Sequence, residues 1–168
     1  MNIDLKILNK ELYANSPEYA TAGSAAIDLV CPEDIVIPPG ETRLIHTGIA
    51  IHIGGDNVAA IILPRSGLGT RGLVLANTVG LIDSDYQGEL VVAAFNRLVS
   101  LTAYTTKTYL SHFTDLFNHR NDHKIELKSG DRFCQLMFVP VIKPTFNVVE
   151  EFSAKTERNV GGFGSSGR

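Results

Sequence analysis

An all-β fold, a distorted jelly roll or β-barrel-like single domain with little helix, follows from three observations. Apolar residues alternate with polar ones or gather in short runs along most of the chain. Glycine- and proline-rich turns separate those runs, and a helical period is nearly absent. No internal repeat and no linker divides the chain in two.

The elements follow in order. Ile3, Leu5 and Ile7 alternate with Asp4 and Lys6, a half-buried strand. Ala22–Val30 is small, then apolar around one acid, Asp28. Ile35-Val36-Ile37 stops at Pro38-Pro39-Gly40, a strong turn signal. Arg43–Ile53 and Val58–Leu63 are β-rich, with Gly54-Gly55-Asp56-Asn57 turning between them. Ser66–Gly72 is too glycine-rich for more than a short helical turn. Leu73–Ala76 and Leu90–Phe95 flank Gly80–Gly88, which reads as a hairpin tip. Lys124–Leu127 alternates, Lys128-Ser129-Gly130-Asp131 turns, and Phe133–Ile142 is a nearly continuous apolar strand. Asn147–Phe152 is expected to be a last strand. These elements make residues 1–152 one domain, followed by a polar, glycine-rich arm over 153–168.

One segment, 98–120, breaks the pattern. Tyr109, Leu110, Phe113, Leu116 and Phe117 fall at helical spacing, so an insertion carrying a short amphipathic helix is expected at a hairpin end. His112, His119 and His123 cluster there, but no acidic or third ligand completes a metal site, and exposed polar residues are the expectation.

The 168-residue chain is 44% hydrophobic, enough for one core. No apolar run is long enough to span a bilayer, and Met1-Asn2-Ile3-Asp4-Leu5 lacks the layout of a signal peptide. Membrane association is not expected. Net charge is −3 without a basic block, so no nucleic-acid groove is expected, and an anionic ligand needs locally placed groups. Cys31 and Cys134 sit in apolar stretches far from any CxxC spacing, which suits buried free thiols in a reducing cytoplasm.

Five short motifs carry chemistry. Gly80-Leu81-Ile82-Asp83-Ser84-Asp85-Tyr86-Gln87-Gly88 leads two apolar residues into carboxylates spaced i, i+2. In an extended chain those acids share a face. An acid on such a turn suits a general base or the orienting of a metal-bound water, and Tyr86 offers a ring to a flat ligand. The alternative is a solvated polar turn. Pro64-Arg65-Ser66-Gly67-Leu68-Gly69 joins a cation, a hydroxyl and glycines that let backbone amides approach phosphate. In Gly130–Leu136, Gln135 is a polar group in an apolar run. Strand alternation puts it on one face with Phe133 and Met137, and Arg132, Cys134 and Leu136 on the other. Its amide needs either an internal partner or a ligand. Arg158–Arg168 surrounds Phe163 with glycines, serines and arginines, a chain that orders only at a large entropic cost, as a solvated tail or as a lid closing on a ligand. Ala25-Ala26-Ile27-Asp28-Leu29 places one acid beside small residues, either as a turn cap or to orient a metal-bound water.

Taken in order, these five stretches resemble the signature motifs of the trimeric deoxyuridine triphosphate nucleotidohydrolases (dUTPases). The resemblance covers nearly the whole chain except 98–120. One departure is Ala26, where the family usually has Gly; a positive φ there would cost about 1 kcal/mol, and a local conformation that admits Ala is expected.

The resemblance implies hydrolysis of dUTP to dUMP and pyrophosphate by water attack on the α-phosphorus, which removes dUTP from the nucleotide pool and supplies dUMP for thymidylate synthesis. Asp83 would be the general base and Asp85 a supporting acid. Arg65, Ser66, Gly67, Gln135 and Arg158, with Gly164, Ser165 and Ser166 of the tail, would hold the phosphates. Asn77 offers an amide that matches the uracil edge, and Leu81, Ile82 and the Val91 backbone belong to the same base pocket. Tyr86 would pack on the deoxyribose and leave no room for a ribose hydroxyl, while Phe163 would stack on the base. Mg²⁺ would be held mainly by substrate phosphates and waters, with Asp28 behind one of the waters. A homotrimer with sites shared between subunits is also implied. Two rivals are a dCTP deaminase-like enzyme of related fold, distinguished by ammonia release, and an inactive nucleotide-binding regulator, distinguished by binding without turnover.

Overall fold

The computed structural model describes residues 1–13, 17–98 and 123–161. Its strands are β1 (Asp4–Ile7), β2 (Ile27–Val30), β3 (Ile35–Ile37), β4 (Thr42–His52), β5 (Val58–Pro64), β6 (Leu73–Leu75), β7 (Gly80–Ile82), β8 (Glu89–Asn96), β9 (Ile125–Leu127) and β10 (Arg132–Pro140). A five-residue helix, α1 (Ser66–Thr70), follows β5. One antiparallel sheet has the order β1-β4-β8-β6, a second β2-β10-β5-β7, and β3 pairs with β9 alone. Both large sheets contribute to one core, with Ile45, Leu90 and Val92 from the first and Leu29, Ile62 and Leu136 from the second. This is the jelly-roll arrangement that short strands with alternating burial favour, because each sheet has one apolar face to hide.

Four expectations are corrected. Gly80–Gly88 is not the tip of a simple hairpin. Leu73–Leu75 does pair with Ala94–Asn96, but Gly80–Ile82 crosses to the other sheet and pairs with Ala60–Ile62. The free edge of β5 offers β7 a ladder of unpaired backbone groups. Asp83 and Asp85 do not lie on an extended strand. β7 ends at Ile82, and Tyr86 N–H donates to the Asp83 carbonyl at 3.2 Å, closing a turn. Alternation along β10 is broken by an irregularity between Arg132 and Cys134, which buries Phe133 beside Cys134 and leaves Arg132 and Gln135 on the same cavity. Residues 141–161 form no strand. Phe146, Val148 and Phe152 are 84%, 96% and 91% exposed, and among the described residues no strand pairs with the stretch 147–152.

Ala26 is not among the residues with positive φ, so the Ala in place of the family's usual Gly is unstrained. The inserted helix, His112 and His119 lie outside the described residues. The described residues on either side of it come together, because the buried Asn96 donates from Nδ2 both to Ile37 O at 3.0 Å and to His123 O at 2.7 Å. Among the described residues no helix is long and apolar enough to cross a membrane.

Cys31 and Cys134 are buried free thiols. Burial raises the Cys31 pKa and pushes that of Cys134 up to about 12. Only the thiolate reacts, so both are expected to resist a disulfide reagent at pH 8 and to react on denaturation. Rapid labelling of the native protein would contradict this packing.

Candidate active site

Two cavities carry the chemically capable residues. The first, of about 600 Å³, is lined by Arg65, Ser66, Gly67, Leu68, Arg71, Asp131, Arg132 and Gln135, among others. It forms where β5 ends at Pro64 and the chain turns into α1. Arg65 is the N-cap of that helix, and no acidic residue stands in its first turn. The first amides of a helix have no partner within it. A Cβ on Gly67 would meet no protein atom within 4 Å, so the fold does not demand glycine there. The bare residue instead leaves backbone open to whatever fills the cavity.

Strand pairing brings the distant segments to this place. Gln135 lies between Asp28 on β2 and Leu63 on β5. Asp28 sits between two arginines: Arg65 Nε is 3.0 Å from Oδ1 and Arg132 Nη1 is 3.4 Å from Oδ2. The Arg65 N–H is not aimed at Oδ1, which is buried and has no hydrogen-bond partner among the described residues. The pair is therefore an electrostatic contact that leaves one acceptor free. Arg65, Arg71 and Arg132 together outnumber Asp28 and Asp131, so the cavity favours an anion. Sequence reasoning gave no role to Arg71, and none to Arg132 beyond its place in a motif. The signal for Arg132 was its place three residues before Gln135, concealed by the irregularity in β10.

The second cavity, about 220 Å³, is lined by Leu81, Ile82, Asp83, Tyr86, Glu89, Leu90 and Val91. Asp83 stands exposed at its rim. Tyr86 folds back so that its hydroxyl donates to Glu89 O at 3.0 Å. A Cβ on Gly88 would fall 2.6 Å from the Tyr86 Cζ, so only glycine admits the ring in this position. Asn77 does not line the cavity. It opens a tight turn between β6 and β7 in which Val79 N–H donates to Asn77 O at 2.7 Å around Thr78, held at φ 64°. A positive φ on a β-branched residue is strained backbone.

Arg158 lies in the arm, where Nε donates to Gly161 O at 2.9 Å and Asn159 takes φ 43°. Phe163, Gly164, Ser165 and Ser166 lie outside the described residues. Among the described residues no group of three or more His, Cys, Asp or Glu side chains is arranged to hold a metal ion.

A cationic cavity floored by open backbone, with an acid and an aromatic on a second pocket, defines a jelly-roll protein built to handle a phosphorylated ligand with a flat ring. The family model described as dUTPase matches residues 12–108 and 114–167. A deoxyuridine 5'-triphosphate nucleotidohydrolase of Francisella philomiragia subsp. philomiragia is 50% identical over 170 residues, covering 99% of each chain. Its counterpart in Francisella tularensis subsp. holarctica is 49% identical with the same coverage. A Staphylococcus bacteriophage 80alpha dUTPase solved with dUPNHPP superposes with a TM-score of 0.79 at 27% identity over 99% of each chain. The chain belongs to the dUTPase family.

Proposed function

We propose that each active site is completed between protomers, with Asp83 of one acting on phosphates held by Arg65, Ser66 and Gln135 of another. As a member of its family the chain is a dUTP diphosphatase, converting dUTP and water to dUMP and pyrophosphate. One observation carries the shared site. β7 runs antiparallel to β5, with Ile61 facing Leu81 and Ala60 facing Ile82, so Asp83 comes level with Ala59. Arg65 follows the other end of β5. Six residues of strand separate the two levels, about 20 Å at the usual rise, whereas reacting groups must stand about 3–3.5 Å apart. This separation supports a site in which Asp83 and Arg65 come from different chains. The exposed apolar side chains of residues 141–161, uncovered in their own chain, fit a closed homotrimer in which a neighbour covers them.

In this reading uracil enters the pocket against Leu81, Ile82 and the Val91 backbone, and the Asn77 amide, which does not line that pocket within one chain, meets its edge from the turn between β6 and β7. Tyr86 packs on the deoxyribose. Asp83 takes the proton of a water as its oxygen bonds to the α-phosphorus in line, and the bond to the bridging oxygen breaks to release pyrophosphate. The cavity arginines and the open amides at Ser66 and Gly67 hold the charge that develops. Arg158 and the arm over 153–168, with Phe163 against the base and Gly164, Ser165 and Ser166 on the terminal phosphates, close the site against solvent.

The residues present fit Mg²⁺ carried in with the substrate. Among the described residues carboxylates build no cage, and Asp28 Oδ1 accepts no hydrogen bond there beside the phosphate arginine, which suits it to a metal-bound water. Bound in that way, the ion offsets triphosphate charge. The free thiols suit a cytoplasmic setting.

Assay of dUTP against UTP, dCTP and dTTP in magnesium buffer tests the assignment. Pyrophosphate from dUTP is the expected product, with dCTP turned over at least about 100-fold less efficiently because its reversed polar edge leaves buried groups unpaired, and UTP disfavoured because Tyr86 leaves no room for its 2'-hydroxyl. Ammonia release from dCTP, or dUTP binding without dUMP, would overturn it.

A further inference from the structure

Glu89, the first residue of β8, makes contacts at both ends that the reaction does not require. Its carboxylate reaches an irregularity in β4 between His46 and Ala50, where Gly48 N–H donates to Oε1 at 2.9 Å and His46 Nδ1 lies 2.8 Å from Oε2. Its backbone carbonyl receives the Tyr86 hydroxyl. The β4 irregularity is a rigid anchor. Gly48 sits at φ 75°, a Cβ there would stand 2.7 Å from Asn9 Cβ, and its carbonyl accepts from Leu8 and Asn9 at 2.8 and 3.0 Å. Beside it Thr47 Oγ1 donates to Leu90 O at 2.8 Å. The His46 hydrogen bond, aided by that from Gly48 N–H, holds the Glu89 carboxyl below the usual carboxylate range. The clamp is therefore in its charged form at neutral pH.

Strand ends fray unless something ties them down. Pairing of β8 with β4 beyond the irregularity resumes only at Glu89 with Ala50. The carboxylate clamp fixes that end, and so fixes the carbonyl to which the Tyr86 ring is tethered. We propose that Glu89 is a positioning residue for Tyr86, holding the ring where it excludes a ribose 2'-hydroxyl and thereby setting the preference for deoxyribose. This rests on the reading of Tyr86 as the residue against the sugar.

The test compares kcat/KM for UTP and dUTP in the wild type and in the variants Glu89→Ala, Glu89→Gln and Tyr86→Ala. In Glu89→Ala the UTP-to-dUTP ratio is expected to rise about 10-fold, the scale of one lost hydrogen bond. In Glu89→Gln, whose amide oxygen still accepts from Gly48 N–H, the ratio is expected to stay near that of the wild type. Tyr86→Ala should raise the ratio at least as far as Glu89→Ala. If Tyr86→Ala raises it and Glu89→Ala does not, or lowers both substrates alike, the positioning role falls while Tyr86 keeps its place at the sugar. If Tyr86→Ala leaves the ratio unchanged, the reading of Tyr86 fails and the role of Glu89 with it. Should Glu89→Ala not fold, Glu89→Asp, one methylene short of both donors, is expected to raise the ratio, and an unchanged ratio there overturns the proposal.

Discussion

Asp83→Asn is expected to bind dUTP and scarcely turn it over. The substitution keeps size and shape. The turn it occupies is held by the Asp83 backbone carbonyl, which accepts from Tyr86 N–H, and asparagine is as good a turn residue as aspartate. Asp83 is exposed and takes no part in the core, so stability should be little changed. What disappears is the proton acceptor. A positioned general base contributes about 10² to 10⁴ in rate, so kcat should fall by that factor. KM should move by no more than about threefold, as expected for a group that acts only in the transition state. Retention of most of kcat would remove Asp83 from the base role.

The second large effect is expected from ending the chain at Glu157, so that Arg158 and everything after it are lost. Among the described residues of this stretch nothing joins a sheet, and Arg158 bonds only to its neighbour Gly161. The core should therefore melt as in the full chain. Turnover should not survive, because a cation meant for the phosphates and the cover over the site are removed together. Losing one preorganised donor to a developing anion already slows an enzyme about 10²- to 10³-fold. A fall of at least about 100-fold in kcat/KM, with an unchanged melting temperature, is the expected pair of results. A fully active truncated enzyme would contradict the closing arm.

Much of this was legible in the residues. Alternation placed β1 and β9, and apolar runs placed β3, β5 and β8, close to their observed bounds, with glycine and proline marking the turns between them. Tertiary choices were not legible. Nothing local in Gly80–Ile82 says that it pairs with β5 rather than with its neighbour in sequence, because an unpaired strand edge takes whichever partner the fold presents. The irregularity between Arg132 and Cys134 exchanged the expected faces of Arg132 and Phe133, since one extra residue shifts the two-residue period, while Cys134 and Leu136 alternate with Gln135 and Met137 as expected. The contact of Asp28 with Arg65 and Arg132 joins three separated segments and has no signature in any of them. The expected strand over 147–152 has the right residues, but among the described residues no strand edge pairs with it. The site residues appear as motifs along one chain, while the geometry places Asp83 and Arg65 toward opposite ends of β5.

Complementation between two inactive variants tests the shared site most directly. Asp83→Asn and Arg65→Ala should each be nearly inactive alone. Coexpressed in equal amounts and assorting at random, they should restore about one quarter of the wild-type dUTP turnover, since a site drawing the two residues from different protomers finds both intact in about a quarter of cases. If both residues served a site within one chain, every site in the mixture would carry one lesion. A mixed assembly no more active than its inactive parents would contradict the arrangement.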